Sequence, residues 1–276
     1  MTKTTVLTFR KKKREGQKIT MLTAYDYTMA KLMDDSGVDA ILVGDSLGNV
    51  ILGYDDTLSV TMDDMVSHCR AVARAADKAM VIVDMPFMTY QVSVEDTLRN
   101  AGRLMMQGRA NAVKLEGGTR VCPQIRALVD AGVPVMAHLG LTPQSINAFG
   151  GYRVMGKTQE QATTLLSEAL AVQDAGAFAL VLECVPDKLA KLISQKLQIP
   201  TIGIGSGAGC DGQVLVAQDM LGMTHGLSPK FVKVFAPVGE AIKNAFADYI
   251  HEVENVTYPS EEYSYPVGDE VVERLY

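Results

Sequence analysis

Cysteine is scarce and scattered in this chain of 276 residues: Cys69, Cys122, Cys184 and Cys210 form no CxxC pair and stand beside no histidine at metal-ligand spacing. That pattern argues against a disulfide scaffold and against a zinc site, and fits reduced, mostly buried thiols in a cytosol. Long apolar runs are missing as well. The amino-terminal stretch MTKTTVLTFRKKKREG lacks the apolar core of roughly 7–15 residues that a secretory signal needs, and nowhere do about 18 apolar residues follow one another. A soluble, cytoplasmic protein without a membrane partner is expected. Positive charge is also in short supply, with 26 basic against 32 acidic residues and a formal charge of −6. The chain therefore lacks the basic surface that a phosphate backbone requires, and nucleic acid is not an expected partner. The one basic run, RKKKR at 10–14, reads as a solvated face rather than a localisation tag or anion patch.

What the chain does have is a series of short apolar runs that end on chemically capable residues. AILVGD at 40–45 closes on Asp45, MVIVD at 80–84 on Asp84, and AVKLE at 112–116 carries Lys114 and Glu116. VPVMAH at 133–138 ends on His138, AFALVLE at 177–183 on Glu183, and IPTIGIG runs into glycines. Nearly continuous Val/Ile/Leu runs of this length are the mark of parallel strands buried on both faces. Between them lie helical stretches with recognisable ends. Residues 93–108 open with Ser93 and Asp96 at capping-box spacing and stop at Gly108; residues 158–175 open with Thr158 and Gln161 and stop at Gly176. In the second of these, Ala162, Leu165, Leu166 and Ala169 form the expected buried stripe.

Strands are expected near 18–24, 39–44, 80–84, 111–116, 134–138, 178–183, 200–204 and 231–235. Eight strand–helix units in about the length of one barrel predict a single (β/α)8 TIM barrel over residues 1–256, with a short N-terminal extension. An open doubly wound sheet is the alternative. Ser46 to Thr61 reads as a loop over the barrel mouth. Residues 257–276, acidic and tyrosine-rich, form a C-terminal tail that either lies against the barrel or packs on a neighbouring subunit. There is no internal repeat and no evident linker.

In a closed barrel the carboxyl ends of the strands converge on one mouth, where polar residues read as catalytic. Alternation puts Asp45 on one face with Ile41 and Val43, Asp84 with Ile82, Glu183 with Val181, and Lys114 with Glu116 about 6.6 Å along the strand. If these faces point inward, several carboxylates and one ammonium share a small space, and a hard divalent cation such as Mg²⁺ relieves their repulsion. Lys114 inside an apolar strand needs a partner, and Glu116 is available for that role alone. His138 is either a satisfied structural histidine or a substrate contact. Asp45 reads as functional rather than as a helix cap, because Leu-Gly-Asn after Ser46 does not look like a helix start. GIGSGAG at 203–209 lacks a P-loop lysine and fits tight packing at a turn better than phosphate binding.

Seven ordered blocks, MLTAYD at 21–26, GDSLG at 44–48, DMPFMTY at 84–90, KLEGG at 114–118, HLGLTPQS at 138–145, LVLECVP at 180–186 and IGIGSGAGCDGQVLV at 202–216, resemble the ketopantoate hydroxymethyltransferase family from about residue 4 to about residue 264. The resemblance implies a (β/α)8 enzyme of pantothenate biosynthesis. Such an enzyme moves a one-carbon unit from 5,10-methylenetetrahydrofolate, as co-substrate, onto 3-methyl-2-oxobutanoate through an enolate, giving 2-dehydropantoate. It further implies one Mg²⁺ per subunit on Asp45 and Asp84 with Glu116 as third acidic ligand, 2-oxoacid contacts at Asp45, Ser46, Asp84 and Lys114, Glu183 as proton acceptor, and a homodecamer. Two departures stand out: Ala137 replaces a frequent glycine before the histidine, and YPSEEYSY in the tail differs from the usual ending. Other readings are a Schiff-base aldolase using Lys114, a Mg²⁺-dependent lyase of the phosphoenolpyruvate/pyruvate barrel type, and a non-catalytic barrel that binds an acidic metabolite.

Overall fold

The computed structural model describes residues 2–151, 153–224 and 229–275. Residues up to 217, with 229–232, form one unit, and the remainder from 218 forms a second. Residues 256 and 257, on either side of the expected junction between barrel and tail, both lie in the second unit.

The first unit is a closed barrel of parallel strands in sequential order. They are β1 (Ile19–Thr23), β2 (Ala40–Val43), β3 (Met80–Asp84), β4 (Ala112–Glu116), β5 (Val135–Gly140), β6 (Ala179–Glu183), β7 (Thr201–Ile204) and β8 (Gly212–Leu215). The helices are α1 (Val6–Arg14), α2 (Tyr27–Ser36), α3 (Leu47–Val50), α4 (Met62–Ala75), α5 (Val94–Met106), α6 (Cys122–Asp130), α7 (Ile146–Phe149), α8 (Gln159–Asp174) and α9 (Asp187–Lys196). Their starts follow from local chemistry. Thr61 and Asp64 cap α4 reciprocally, Ser93 Oγ accepts from the Asp96 N–H at 3.0 Å at the head of α5, and Thr158 Oγ1 accepts from the Gln161 N–H at 3.2 Å at the head of α8. In α8, Leu165, Ala169 and Val172 are buried, while Ala162 and Leu166 are only half-buried.

Two apolar layers result. Ile41, Val43, Val81, Val83, Val113 and Leu115 pack outward against the helices. Alternate residues, among them Leu42, Ile82, Ala112, Met136, Val181 and Val214, fill the barrel interior. Phe9 of α1 belongs to that interior layer, fully buried and edge-on to Phe178 with centroids 5.5 Å apart. The basic run of α1 is not simply solvated: Lys12 pairs with Asp39, and Lys13 pairs with Asp211 at 2.8 Å while donating to the Ser194 carbonyl.

The closing strand is not where the apolar pattern placed it. Residues 231–235 form no strand; Gly212–Leu215 pairs with β1 instead, Gly212 opposite Ile19. Residues 205–211 alone return the chain from the end of β7 to the start of β8, where a parallel crossover ordinarily takes about a dozen residues and a helix. So short a return runs against its neighbours. A Cβ on Gly207 would lie 2.6 Å from Asp187 Cβ, one on Gly209 2.6 Å from Lys191 Cβ, and one on Gly212 2.4 Å from the Ile19 carbonyl. The glycines of this segment serve packing, as the motif suggested.

In the second unit the helix Val238–Glu254 has no buried residue and exposes Phe246, Tyr249, Ile250 and Val253. The segment after it folds back on it, with the Thr257 N–H donating to the Glu252 carbonyl and Tyr258 lying 5.8 Å from Tyr249 between ring centroids. All four cysteines are free thiols, and no described helix is long and apolar enough to cross a membrane.

Candidate active site

Strand register assembles the site. Asp84 at the end of β3 stands opposite Lys114 in β4, Glu116 two residues on stands opposite His138 in β5, and Glu183 at the end of β6 stands opposite Gly140. Register partners on adjacent strands point to the same side, so these residues lie above the interior layer of Ile82, Ala112, Met136 and Val181. Asp45 arrives by another route. Ile41 and Val43, whose face it was expected to share, point outward to the helices. The strand ends at Val43, and the turn through Gly44 brings the main-chain N–H of Asp45 within 3.0 Å of Asp84 Oδ2. A Cβ on Gly44 would lie 2.9 Å from Ser46 Oγ, so a larger residue here would crowd the serine hydroxyl.

The segment after Asp45 is also more ordered than a loop over the mouth. One helical turn, α3, begins directly after Ser46, contrary to the expectation from Leu-Gly-Asn. Packing decides it: Leu47 is fully buried, and Gly48 fits where a Cβ would meet Val60 Cγ2 at 2.8 Å and the Asp56 carbonyl at 3.0 Å. Ser46 Oγ is left 2.8 Å from the Tyr25 hydroxyl.

Six expected residues form one linked network. Lys114 Nζ lies 3.0 Å from Asp84 Oδ1 and 3.1 Å from His138 Nδ1. His138 Nδ1 lies 3.3 Å from Glu116 Oε1, and its Nε2 3.3 Å from Glu183 Oε2. Asp45 joins through Asp84. All are buried except Glu183, which is half-buried.

Burial and mutual charge set the protonation states. Burial, reinforced by Asp84 and Glu116, pushes the Asp45 carboxyl well above the usual range. Burial also raises Asp84, against the opposing pull of Lys114. Lys114 stays protonated although buried, because Asp84, Glu116 and Asp45 surround its ammonium. Burial would raise Glu116 too, but His138 and Lys114 hold it below its ordinary value. Burial and Lys114 both oppose a charge on His138, yet the carboxylates at its two nitrogens outweigh them and push it up to about 9. A lysine proton directed at Nδ1 needs that nitrogen bare, and a carboxylate accepting from it needs it protonated; carboxylates beside both nitrogens, against one ammonium, favour the imidazolium.

Among the described residues, two buried polar atoms of the network, Asp84 Oδ1 and His138 Nε2, lack a directed hydrogen bond. Lys114 approaches Asp84 Oδ1 off the hydrogen-bond axis. Among the described residues no group of three or more His, Cys, Asp and Glu side chains is placed to hold a metal ion unaided.

Two residues that the sequence did not single out are built into the site. Gln144 donates from Nε2 to Asp45 Oδ2 at 2.9 Å, and the Tyr90 hydroxyl donates to Gln144 Oε1 at 2.7 Å. Both fall inside conspicuous blocks, HLGLTPQS and DMPFMTY, but neither ends a strand, which was the signal that revealed the others.

Comparison with known proteins points to one family. The family model of ketopantoate hydroxymethyltransferase matches residues 3–261. The chain is 60% identical over 274 residues to 3-methyl-2-oxobutanoate hydroxymethyltransferase of Clostridium novyi (strain NT), covering 99% of this chain and 100% of that one. It is 58% identical, with the same coverage, to the protein of that name from Enterococcus faecalis. Among solved structures it resembles a phosphonopyruvate hydrolase complexed with oxalate and Mg²⁺ (TM-score 0.63, 13% identity, covering 98% of this chain and 94% of that one). It also resembles a 2,3-dimethylmalate lyase (TM-score 0.60, 17% identity, covering 99% and 94%). At these identities the structural likeness shows the fold alone. Sequence identity across nearly the whole chain, and a barrel mouth carrying the acids and lysine of the matched blocks, place the protein: it belongs to the ketopantoate hydroxymethyltransferase family.

Proposed function

We propose that this protein transfers a hydroxymethyl group to 3-methyl-2-oxobutanoate with 5,10-methylenetetrahydrofolate as one-carbon donor, in pantothenate biosynthesis. The observation that carries the proposal is the buried network in which Asp45, Asp84, Lys114, Glu116, His138 and Glu183 meet at one end of the barrel.

The residues present fit a Mg²⁺ ion. Asp84 keeps a buried oxygen without a directed hydrogen bond, and Asp45 and Asp84 are acids whose burial and mutual repulsion a hard cation relieves. Asp45 and Asp84 would hold the ion, an arrangement that suits Mg²⁺ because it retains several waters and takes substrate oxygens in place of further side chains. Glu116 belongs to the set by resemblance; its oxygens serve His138 and the Gln144 N–H, and each keeps a second lone pair. When bound, the ion supplies a Lewis acid for the negative charge that develops on the oxygens of a 2-oxoacid.

The chain's own residues do the rest. Lys114, held protonated, neutralises the substrate carboxylate, and Ser46 Oγ offers it a hydrogen bond. Glu183 takes the proton from C3: the C3–H bond breaks, its electron pair becomes the C2=C3 π bond, the C2=O π pair moves onto the keto oxygen to give the enolate, and the carboxylate becomes a carboxylic acid. His138 faces Glu183 with its charge, Nε2 lying 3.3 Å from Oε2. Three carboxylates hold Lys114 as an ammonium, which is no nucleophile in that form, and this speaks against the Schiff-base aldolase. A cytoplasmic homo-oligomer, a homodecamer by family resemblance, completes the proposal.

Incubation with 3-methyl-2-oxobutanoate and Mg²⁺ in deuterated water tests it. Deuterium is expected at C3 without any folate, and Glu183→Gln should slow its appearance by about 10²–10⁴-fold. Exchange by the variant at the parental rate would remove Glu183 as the base; no exchange by the parent would reject the enolate route.

A further inference from the structure

We propose that Gln144 is a positioning residue that sets the Asp45 carboxylate for a divalent cation, an inference that rests on Asp45 and Asp84 holding that cation. Gln144 is 5% exposed and lies in the turn Pro143–Ser145 that follows β5. Its Nε2 donates both hydrogens, to Asp45 Oδ2 at 2.9 Å and to the Met85 carbonyl at 2.9 Å. Its Oε1 accepts from the Tyr90 hydroxyl at 2.7 Å and from Gln91 Nε2 at 3.3 Å. Its main-chain N–H donates to Glu116 Oε2 at 3.1 Å.

Every donor and acceptor of the amide is thus used, and it can face only one way. Reversed, it would turn its oxygen toward the Met85 carbonyl, which cannot donate. Tyr90 stands behind it, 1% exposed, its hydroxyl accepting from the Glu116 N–H at 3.1 Å. One residue with a neutral side chain therefore ties together the ends of β2, β3 and β4 and the turn after β5.

Neutrality is the point. A lysine or arginine here would cancel the charge that a cation needs, and a glutamate would repel Asp45 and the Met85 carbonyl. An amide directs one carboxylate oxygen and leaves the other, with its charge, for the ion. Outer hydrogen bonds of this kind typically govern about 10–100-fold in metal affinity.

The test is Mg²⁺ titration calorimetry on the full-length protein with 3-methyl-2-oxobutanoate present, alongside thermal unfolding. Gln144→Met, close in length and without a polar end, should weaken Mg²⁺ binding about 10–100-fold and raise by the same factor the Mg²⁺ needed for half-maximal C3 exchange. Tyr90→Phe should move both in the same direction by less, since Gln144 keeps its donors and loses only the group that aims them. A Gln144→Met variant that binds Mg²⁺ within about twofold of the parent overturns the inference. Should that variant fail to fold, Tyr90→Phe decides: unchanged Mg²⁺ affinity overturns the inference and a weakened one supports it. A parent that binds no Mg²⁺, indistinguishable from Asp84→Ala, brings down the cation site and the inference together; a binding parent with an indifferent Gln144→Met variant brings down the inference alone.

Discussion

The imidazolium of His138 should make the metal-free protein less stable as the solution turns alkaline. An unfolded chain releases a histidine proton near 6.5, whereas the folded site holds it up to about 9. A group whose folded value is raised contributes its full stabilisation below the unfolded value and loses it as pH climbs through the folded one. The window is therefore about pH 6.5 to 9, and the difference of about 2.5 units corresponds to roughly 3 kcal/mol at about 1.36 kcal/mol per unit. His138 is buried, so solvent screening takes little from that figure. The assay is urea unfolding of EDTA-treated protein at about pH 6 and pH 9.5, comparing the parent with His138→Gln at equal protein concentration. The parent should lose roughly 3 kcal/mol more than the variant across the window, because other titrating groups largely cancel in the comparison. A direct check is available in the imidazole NMR signals: of the four histidines, one should titrate near 9 and vanish in the variant. Equal losses in the two proteins, or no imidazole titrating above about 7.5, would refute the two-carboxylate account of His138.

Phe9→Ala should cost about 3–5 kcal/mol by leaving a cavity beneath the interior layer, measured by denaturant unfolding; a loss under about 1 kcal/mol would show that α1 does not seal the barrel. Gly140→Ala should both destabilise the fold and slow turnover. Gly140 has φ +95°, and its new Cβ would fall 2.2 Å from the Glu183 carbonyl, so the strain of about 1–3 kcal/mol is relieved by moving the end of β6 that carries the base. A variant with parental melting temperature and parental C3 exchange would contradict this.

Six of the eight strands, β2 to β7, were legible as short, largely apolar runs of the kind that burial on both faces produces, and β1 was legible although Thr20 is exposed and Leu22 half-buried. The eighth was not. GQVL contains a glycine and an exposed glutamine, and it follows β7 without the helix that elsewhere separates strands, so the more apolar FVKVF at 231–235 took its place. Side-chain alternation located Asp84, Lys114, Glu116 and Glu183 correctly, since each lies within a strand and shares its parity with an interior residue. The same rule misassigned the face of Asp45, because period-two alternation stops where Gly44 ends the strand. Gln144 and Tyr90 were invisible for a different reason. Their roles depend on contacts 99 residues apart, Gln144 to Asp45, and 54 residues apart, Tyr90 to Gln144, which no local pattern encodes.

The return from β7 to β8 leaves that corner of the barrel without slack. The slack is missing in packing, not in reach: residues 205–211 could span about 23 Å at about 3.3 Å per residue and Gly212 stands opposite Ile202, only two residues back along β7, but Gly207 and Gly209 are pressed against Asp187 and Lys191 of α9. Deleting even one or two of residues 205–211 should pull Gly207 and Gly209 off α9 and disturb the seam between β7 and β8, whereas the longer stretches before β3 and β6 can shorten at their surface turns. Length variation among relatives should accordingly collect in the latter places and spare the former.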